Sequence, residues 1–187
     1  MDKSRFVTYL ARVLIASGLV GMVYNYTGDD IVLLDGSEIK TENLKEHLTS
    51  KYIDREVDTV TIYLHHTVTS REASIESINK IHTDRGWQKV SYHIATNYEG
   101  KLFFLNPLTK YTYHTKGKNK KGISIVLIGN YEEYYPSKEM ITMTRFIIEQ
   151  LCNTPNLYIE GIKGHKDVKA TLCPGKYAYT EFKDLFY

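Results

Sequence analysis

Ile123-Ser124-Ile125-Val126-Leu127-Ile128, closed by Gly129, is a nearly unbroken apolar run of strand length. A run of this kind, rich in β-branched residues, marks a strand covered on both faces, which is the place of a central strand. A similar run, Thr59-Val60-Thr61-Ile62-Tyr63-Leu64, lies upstream and ends at His65-His66. Around these two, residues 91–97 read as a strand, Glu99-Gly100 as a hairpin turn into a strand over 101–105, and residues 158–162 as a last strand. Ile75, Ile78 and Ile81 at helical spacing predict a helix over 71–84, opened by Ser70 and Glu72. Ser137 opens a second amphipathic helix through Met140, Met143, Phe146, Ile147 and Leu151. Strands interleaved with helices predict an α/β fold, a central mixed β-sheet flanked by helices.

The length of 187 residues fits one ordinary domain with little to spare. Lys plus Arg is 24 against 22 for Asp plus Glu, a net charge of +2. With 42% hydrophobic and 25% charged residues, the chain is neither disordered, collagen-like nor a disulfide-stapled mini-protein. So small a positive excess argues against a nucleic-acid partner. Cys152 and Cys173 make no disulfide framework, although one bridge is arithmetically open. Because the composition supplies a full core, a metal site here would serve catalysis rather than folding.

The two ends of the chain differ. Residues 1–58 hold 7 basic and 10 acidic residues, a net of −3, and residues 59–187 hold 17 and 12, a net of +5. Between Glu99 and Glu132 there is no acid, while Lys101, Lys110, Lys116, Lys118, Lys120 and Lys121 fall there. This stretch is either a solvated loop or a surface that attracts polyanions. Residues 6–24 form a long apolar run containing Arg12. A cleaved signal peptide fits poorly, because Arg12 interrupts the run and no small-x-small site follows. A membrane anchor would bury Arg12 at about 2.5–3.5 kcal/mol. A packed amphipathic helix, with Arg5, Thr8 and Arg12 on one face, is the favoured reading. Thr27-Gly28-Asp29-Asp30 and Asp35-Gly36 are turn signals, residues 31–34 a short strand and residues 41–50 a short helix. Residues 1–55 therefore read as an N-terminal helical extension, a docking or anchor segment. Residues 56–187 read as the main domain.

Seven histidines and two cysteines carry the candidate chemistry. His65 and His66 follow the first strand, His165 follows the last, and Cys173 lies eight residues beyond His165 with Pro174-Gly175 behind it. Two imidazoles and a thiolate suit Zn²⁺ and leave a fourth position for water. Zinc lowers the pKa of such a water to about 7 and polarises a carbonyl. The alternative is a set of satisfied loop histidines and a small buried cysteine.

The segments Tyr63-Leu64-His65-His66-Thr67, Gly86-Trp87-Gln88-Lys89-Val90-Ser91-Tyr92-His93 and Gly164-His165-Lys166-Asp167-Val168-Lys169-Ala170-Thr171-Leu172-Cys173-Pro174-Gly175 resemble those of the type 2 amidases. These are zinc-dependent N-acetylmuramoyl-L-alanine amidases, a family that includes phage lysozyme-type endolysins and animal peptidoglycan recognition proteins. His114-Thr115 and Ile128-Gly129-Asn130 fall in the same order, so the resemblance covers about residues 58–187. It implies His65, His165 and Cys173 as zinc ligands, Tyr92 beside the metal-bound water, and Thr171 as a hydrogen-bond donor to the developing oxyanion. It implies hydrolysis of the bond between N-acetylmuramic acid and L-alanine in bacterial peptidoglycan, by a phage endolysin or a virion-associated enzyme acting on the cell wall. The leaving amine needs a proton, from Tyr92 or from water through a neighbour.

Other residues are weighed beside these. His114 matches a pocket-lining histidine and is a candidate substrate contact. Trp87 is a second such candidate, with packing under the helix 71–84 as its other reading. His66 and His93 alternate away from their neighbours and read as core or supporting groups. Cys152 reads as an inert core thiol, and His47 and His82 as surface residues. The 16 tyrosines include candidates for a glycan groove. Lys120-Lys121-Gly122-Ile123-Ser124 departs from the Asn-Ser-Ile-Gly pattern usual in the family, which bears on stem-peptide preference and not on the metal ligands. Two rivals stand beside the enzyme: a non-catalytic peptidoglycan-binding module, and a structural virion or envelope component.

Overall fold

The computed structural model describes residues 31–32, 38–39, 60–87, 89–155 and 157–187. The apolar run 6–24, the turn signals before residue 60, the helix expected over 41–50 and His47 lie outside the described residues. No helix of the described residues is long and apolar enough to cross a membrane.

Seven strands form one mixed sheet: β1 Ile31–Val32, β2 Glu38–Ile39, β3 Val60–His66, β4 Ile94–Thr96, β5 Leu102–Phe104, β6 Gly122–Leu127 and β7 Ile159–Gly164. Their order across the sheet is β2-β1-β5-β4-β6-β3-β7. The two apolar runs behave as their composition requires. β6 lies between β3 and β4, parallel to both, and β3 lies between β6 and β7, also parallel to both. Ile123, Ile125, Val126 and Leu127 are at most 1% exposed, which is why this stretch lacks the alternation of a one-sided strand.

Helix α1 spans Ile75–Asp84, α2 Lys138–Cys152 and α3 Lys176–Phe182. On one face of the sheet, Met140, Met143, Ile147, Ile148 and Leu151 of α2 and Ala178 and Phe182 of α3 pack against Ile62, Leu64, Ile94 and Ile125. Each such apolar side chain removed from water stabilises the fold by about 1.5–3 kcal/mol. On the other face, Ile78 of α1 joins Val90, Ala95, Leu105, Val126 and Ile128. α1 thus covers the β4–β6 side of that face.

The helix expected from residue 71 begins at Ile75. Ser74 is its N-cap, with Oγ accepting the Ser77 N–H at 3.2 Å. Ser70 instead accepts the Glu72 N–H and hydrogen-bonds the Glu72 carboxylate, a separate turn. The buried face of α1 carries Ile78 and His82, not Ile81, which is 37% exposed. His82, expected at the surface, is 4% exposed. The strand expected over 91–97 is shortened to β4, and β3 and β7 each run two residues further than the apolar pattern indicated. Cys152 and Cys173 are both free thiols, and burial pushes Cys152 up to about 12.

Candidate metal centre

β3 and β7 are parallel, with Leu64 opposite Gly164. Parallel pairing puts the carboxyl ends of both strands at the same edge, the usual place for a site in a sheet of this type. His65, inside β3 rather than after it, and His165, just past β7, therefore meet: their ring centroids are 4.6 Å apart. The third member arrives on the loop before α3. Lys166 N–H donates to the Cys173 carbonyl at 2.8 Å, turning that loop back toward β7. Gly175, at φ +90°, caps α3 where a Cβ would lie 2.3 Å from the Tyr131 carbonyl carbon, so only glycine lets the loop approach so closely.

One donor atom from each of His65, His165 and Cys173 lies within 4.8 Å of the others. Cys173 Sγ is 3.6 Å from His65 Nδ1. Zinc bonds of about 2.3 Å to sulfur and 2.0–2.1 Å to nitrogen at a tetrahedral angle place those two atoms about 3.6 Å apart. The donor set and its spacing fit a zinc ion.

The surroundings keep both imidazoles, though not the thiol, in a form able to bind a cation. Burial, then the neighbouring His114 and His165, hold His65 well below its ordinary 6.5. His165 is lowered by burial and then by Lys169. Both imidazoles are neutral at pH 7. Burial pushes the Cys173 thiol up to about 12, and the His66 N–H, donating to Sγ at 3.4 Å, pulls the other way. His65 Nε2 lies 3.3 Å from His114 Nδ1, so a His65 that uses Nδ1 for a metal carries its proton on Nε2 and donates it to His114.

Tyr92 packs its ring 5.4 Å from that of His65, and burial raises its hydroxyl above the ordinary 10.0. Thr171 is exposed, and its Oγ1 accepts the Cys173 N–H at 3.2 Å. Buried His114 sits between His65 and Tyr63, whose ring is 5.6 Å away. Trp87 is half-buried and packs on His82 at 4.7 Å, the packing alternative for this residue. His66 turns to the opposite face, where its Nδ1 accepts the Tyr131 N–H at 3.2 Å. His93 is fully buried, with Nε2 donating to the Lys110 carbonyl and Nδ1 paired with Ser124.

Thr61, Tyr63 and His65 alternate onto one face of β3. Along that face, a cavity of about 560 Å³ is lined by Tyr63, Tyr111 and Tyr113. Lys118, Lys120, Lys121 and Lys163 rim it, against the single acid Glu160. The acid-free stretch of the sequence thus supplies three of the four cations at this rim. Sequence reading did not single out Tyr63, Tyr111 or Tyr113 among the tyrosines, because nothing local distinguishes a groove tyrosine from a packed one.

Residues 55–176 match the family of N-acetylmuramoyl-L-alanine amidases. The chain belongs to that family. It is 28% identical over 151 residues to peptidoglycan-recognition protein 1 of Holotrichia diomphalia, covering 75% of this chain and 73% of that protein. It is 25% identical over 126 residues to the N-acetylmuramoyl-L-alanine amidase of Mus musculus, covering 61% of this chain but only 24% of that longer protein. Among solved structures, the amidase LysC from Clostridium intestinale superposes with a TM-score of 0.62 at 29% identity, covering 68% of this chain and 85% of LysC. Bumblebee PGRP-SA superposes at 0.68 with 23% identity, covering 83% and 94%, which supports the fold.

Proposed function

We propose that this amidase-family chain is a zinc-dependent hydrolase that cuts the amide between N-acetylmuramic acid and L-alanine in bacterial peptidoglycan. The observation that carries the proposal is the convergence of His65, His165 and Cys173 at a spacing that zinc requires. His65, His165 and Cys173 would hold the ion. When bound, zinc supplies Lewis acidity that activates water and polarises the scissile carbonyl.

The remaining chemistry falls to the chain. Tyr92 keeps its proton because burial raises its pKa, so it meets the developing oxyanion as a neutral donor. Thr171 would offer the hydroxyl that is held beside Cys173 by accepting its N–H. His114 orients His65 through the Nε2–Nδ1 contact. The tyrosines along β3 offer flat faces to sugar rings, and the lysine rim favours the carboxylates of a stem peptide. Catalytic residues 56–187 act as one domain, with residues 1–55 as a docking or anchor segment for a membrane or virion partner. An endolysin role is favoured by the 29% identity to the protein described as endolysin LysCS of Clostridium intestinale.

A binding-only role is the second reading, favoured by the similarity to peptidoglycan-recognition proteins. Mass spectrometry of digested peptidoglycan separates the two. The expected product carries a new L-alanine amino terminus and is absent with Cys173→Ala, whose zinc content falls. Intact walls, or a new reducing sugar end, would overturn the proposal.

A further inference from the structure

Tyr92 stands outside the sheet ladder. β4 begins at Ile94, so the backbone of residues 90–92 has no strand partner among the described residues, yet Val90 and Ser91 are 7% and 4% exposed. Buried backbone groups must be paired somewhere. Here three side chains pair them. Asn79 Oδ1 accepts the Val90 N–H at 2.8 Å, and His82 Nδ1 accepts the Ser91 N–H at 3.1 Å. Asn106 Nδ2 donates to the Val90 carbonyl at 2.9 Å and to the Tyr92 carbonyl at 2.7 Å.

Asn79 and His82 are three apart on α1, so they lie on one face of the helix. Asn106 is 2% exposed and reaches the same segment just beyond β5. The His82 ring is also 5.4 Å from the Tyr92 ring and 4.7 Å from Trp87. Burial, and then Arg85, lower the His82 pKa, which keeps Nδ1 available as an acceptor at neutral pH. A plain strand extension would satisfy the same backbone groups without any of these residues.

We infer that Asn79, His82 and Asn106 form a clamp that positions Tyr92 against the metal centre, acting on the reaction only through that tyrosine. The inference rests on the role proposed for Tyr92 above. None of the three supplies a candidate ligand atom or lines the cavity, so their effect belongs to kcat and not to zinc binding or KM.

The test is a double-mutant cycle on the zinc-loaded full chain with a soluble muramyl peptide. His82→Leu and Asn106→Leu are each made alone and combined with Tyr92→Phe, with zinc content and thermal midpoint measured for all. His82→Gln, which keeps an acceptor, guards against a variant that merely fails to fold. The expected result is a fall in kcat of about ten- to a hundredfold for His82→Leu, at unchanged KM and zinc content, with recovery in His82→Gln. In the Tyr92→Phe background the same substitution should cost nothing further. Losses that multiply in both backgrounds, or a wild-type kcat in both Leu variants, would overturn the clamp. A wild-type kcat for Tyr92→Phe alone would instead remove the tyrosine from the mechanism, and the clamp's purpose with it.

Discussion

Replacing Gly122 with alanine adds one methyl group at the start of β6 and removes no polar atom, yet it should disturb the metal centre. A Cβ at this position would lie 2.6 Å from His114 Nε2, 2.7 Å from its Cε1 and 2.9 Å from the Lys118 carbonyl. Ordinary carbon contacts begin near 3.5 Å. The imidazole must therefore retreat by close to an ångström, since the backbone carbonyl cannot yield cheaply. His114 Nδ1 is only 3.3 Å from His65 Nε2, so a shift of that size should disturb this contact. Overpacking costs about 1–3 kcal/mol, which for a chain of this length lowers the thermal midpoint by roughly 2–12 °C. Loss of the group that orients a ligand histidine weakens metal affinity by about 10–100-fold. Calorimetry reads the first effect and chelator competition the second. A Gly122→Ala protein with unchanged zinc affinity would refute the argument that His114 holds His65.

Val68 has φ +56°, a left-handed conformation that a β-branched residue adopts at about 1–2 kcal/mol, and it is 61% exposed. Val68→Asn should raise stability by about 1 kcal/mol in chemical denaturation. His66 is buried, and its pKa falls from 6.5 to about 4 through desolvation. Its unfolded form binds protons first, so stability is full above pH 6.5 and falls toward pH 4. The loss should reach about 3 kcal/mol in urea titrations of the metal-free protein, and His66→Gln should remove that share. Changing Lys118, Lys120 and Lys121 together to serine should raise KM on intact walls severalfold at low salt, with the difference fading near 0.5 M salt as charges are screened.

How far the fold could be read beforehand depended on where the backbone hydrogen bonds go. β3 and β6 were legible because strands paired on both sides and buried on both faces must be apolar throughout. The strand-like pattern runs past β4 into Ser91 and Tyr92, whose backbone groups are taken by His82 and Asn106 instead. Ser70 imitated a helix cap because it makes a real local turn with Glu72, four residues before the true cap at Ser74. His82 read as a surface residue because a helix face at 78 and 81 and one at 78 and 82 differ by a single position. Nothing local marks α3, whose Tyr177, Tyr179 and Thr180 are poor helix formers and which is held through Tyr131 and Glu132. The candidate ligands were legible as residues. Their convergence was not, because it follows from the parallel pairing of β3 with β7, which no local pattern encodes.

That convergence has a thermodynamic consequence that can be counted in protons. His65 and His165 both have lowered pKa values, and charge on His114, His165, His66 or His93 would oppose charge on His65, so a second positive imidazole in the cluster is unfavourable. At pH 7.5 both candidate ligands already lack the proton that would compete with a metal. Cys173 is the opposite case: burial holds its thiol up at about 12, so before binding it keeps its proton almost completely. A metal must be bound through the thiolate, so uptake should release one proton from sulfur, and a metal-bound water of pKa about 7 would add a further fraction of a proton at pH 7.5. Titration calorimetry of zinc binding at pH 7.5 in buffers of different ionisation enthalpy gives that number as a slope. The expected slope lies between one and two for the wild type and is lower by about one for Cys173→Ser. Equal slopes for the two proteins would mean that the sulfur takes no part or is already ionised. A wild-type slope above two would mean that an imidazole is protonated beforehand, contrary to the burial and crowding that hold these histidines neutral.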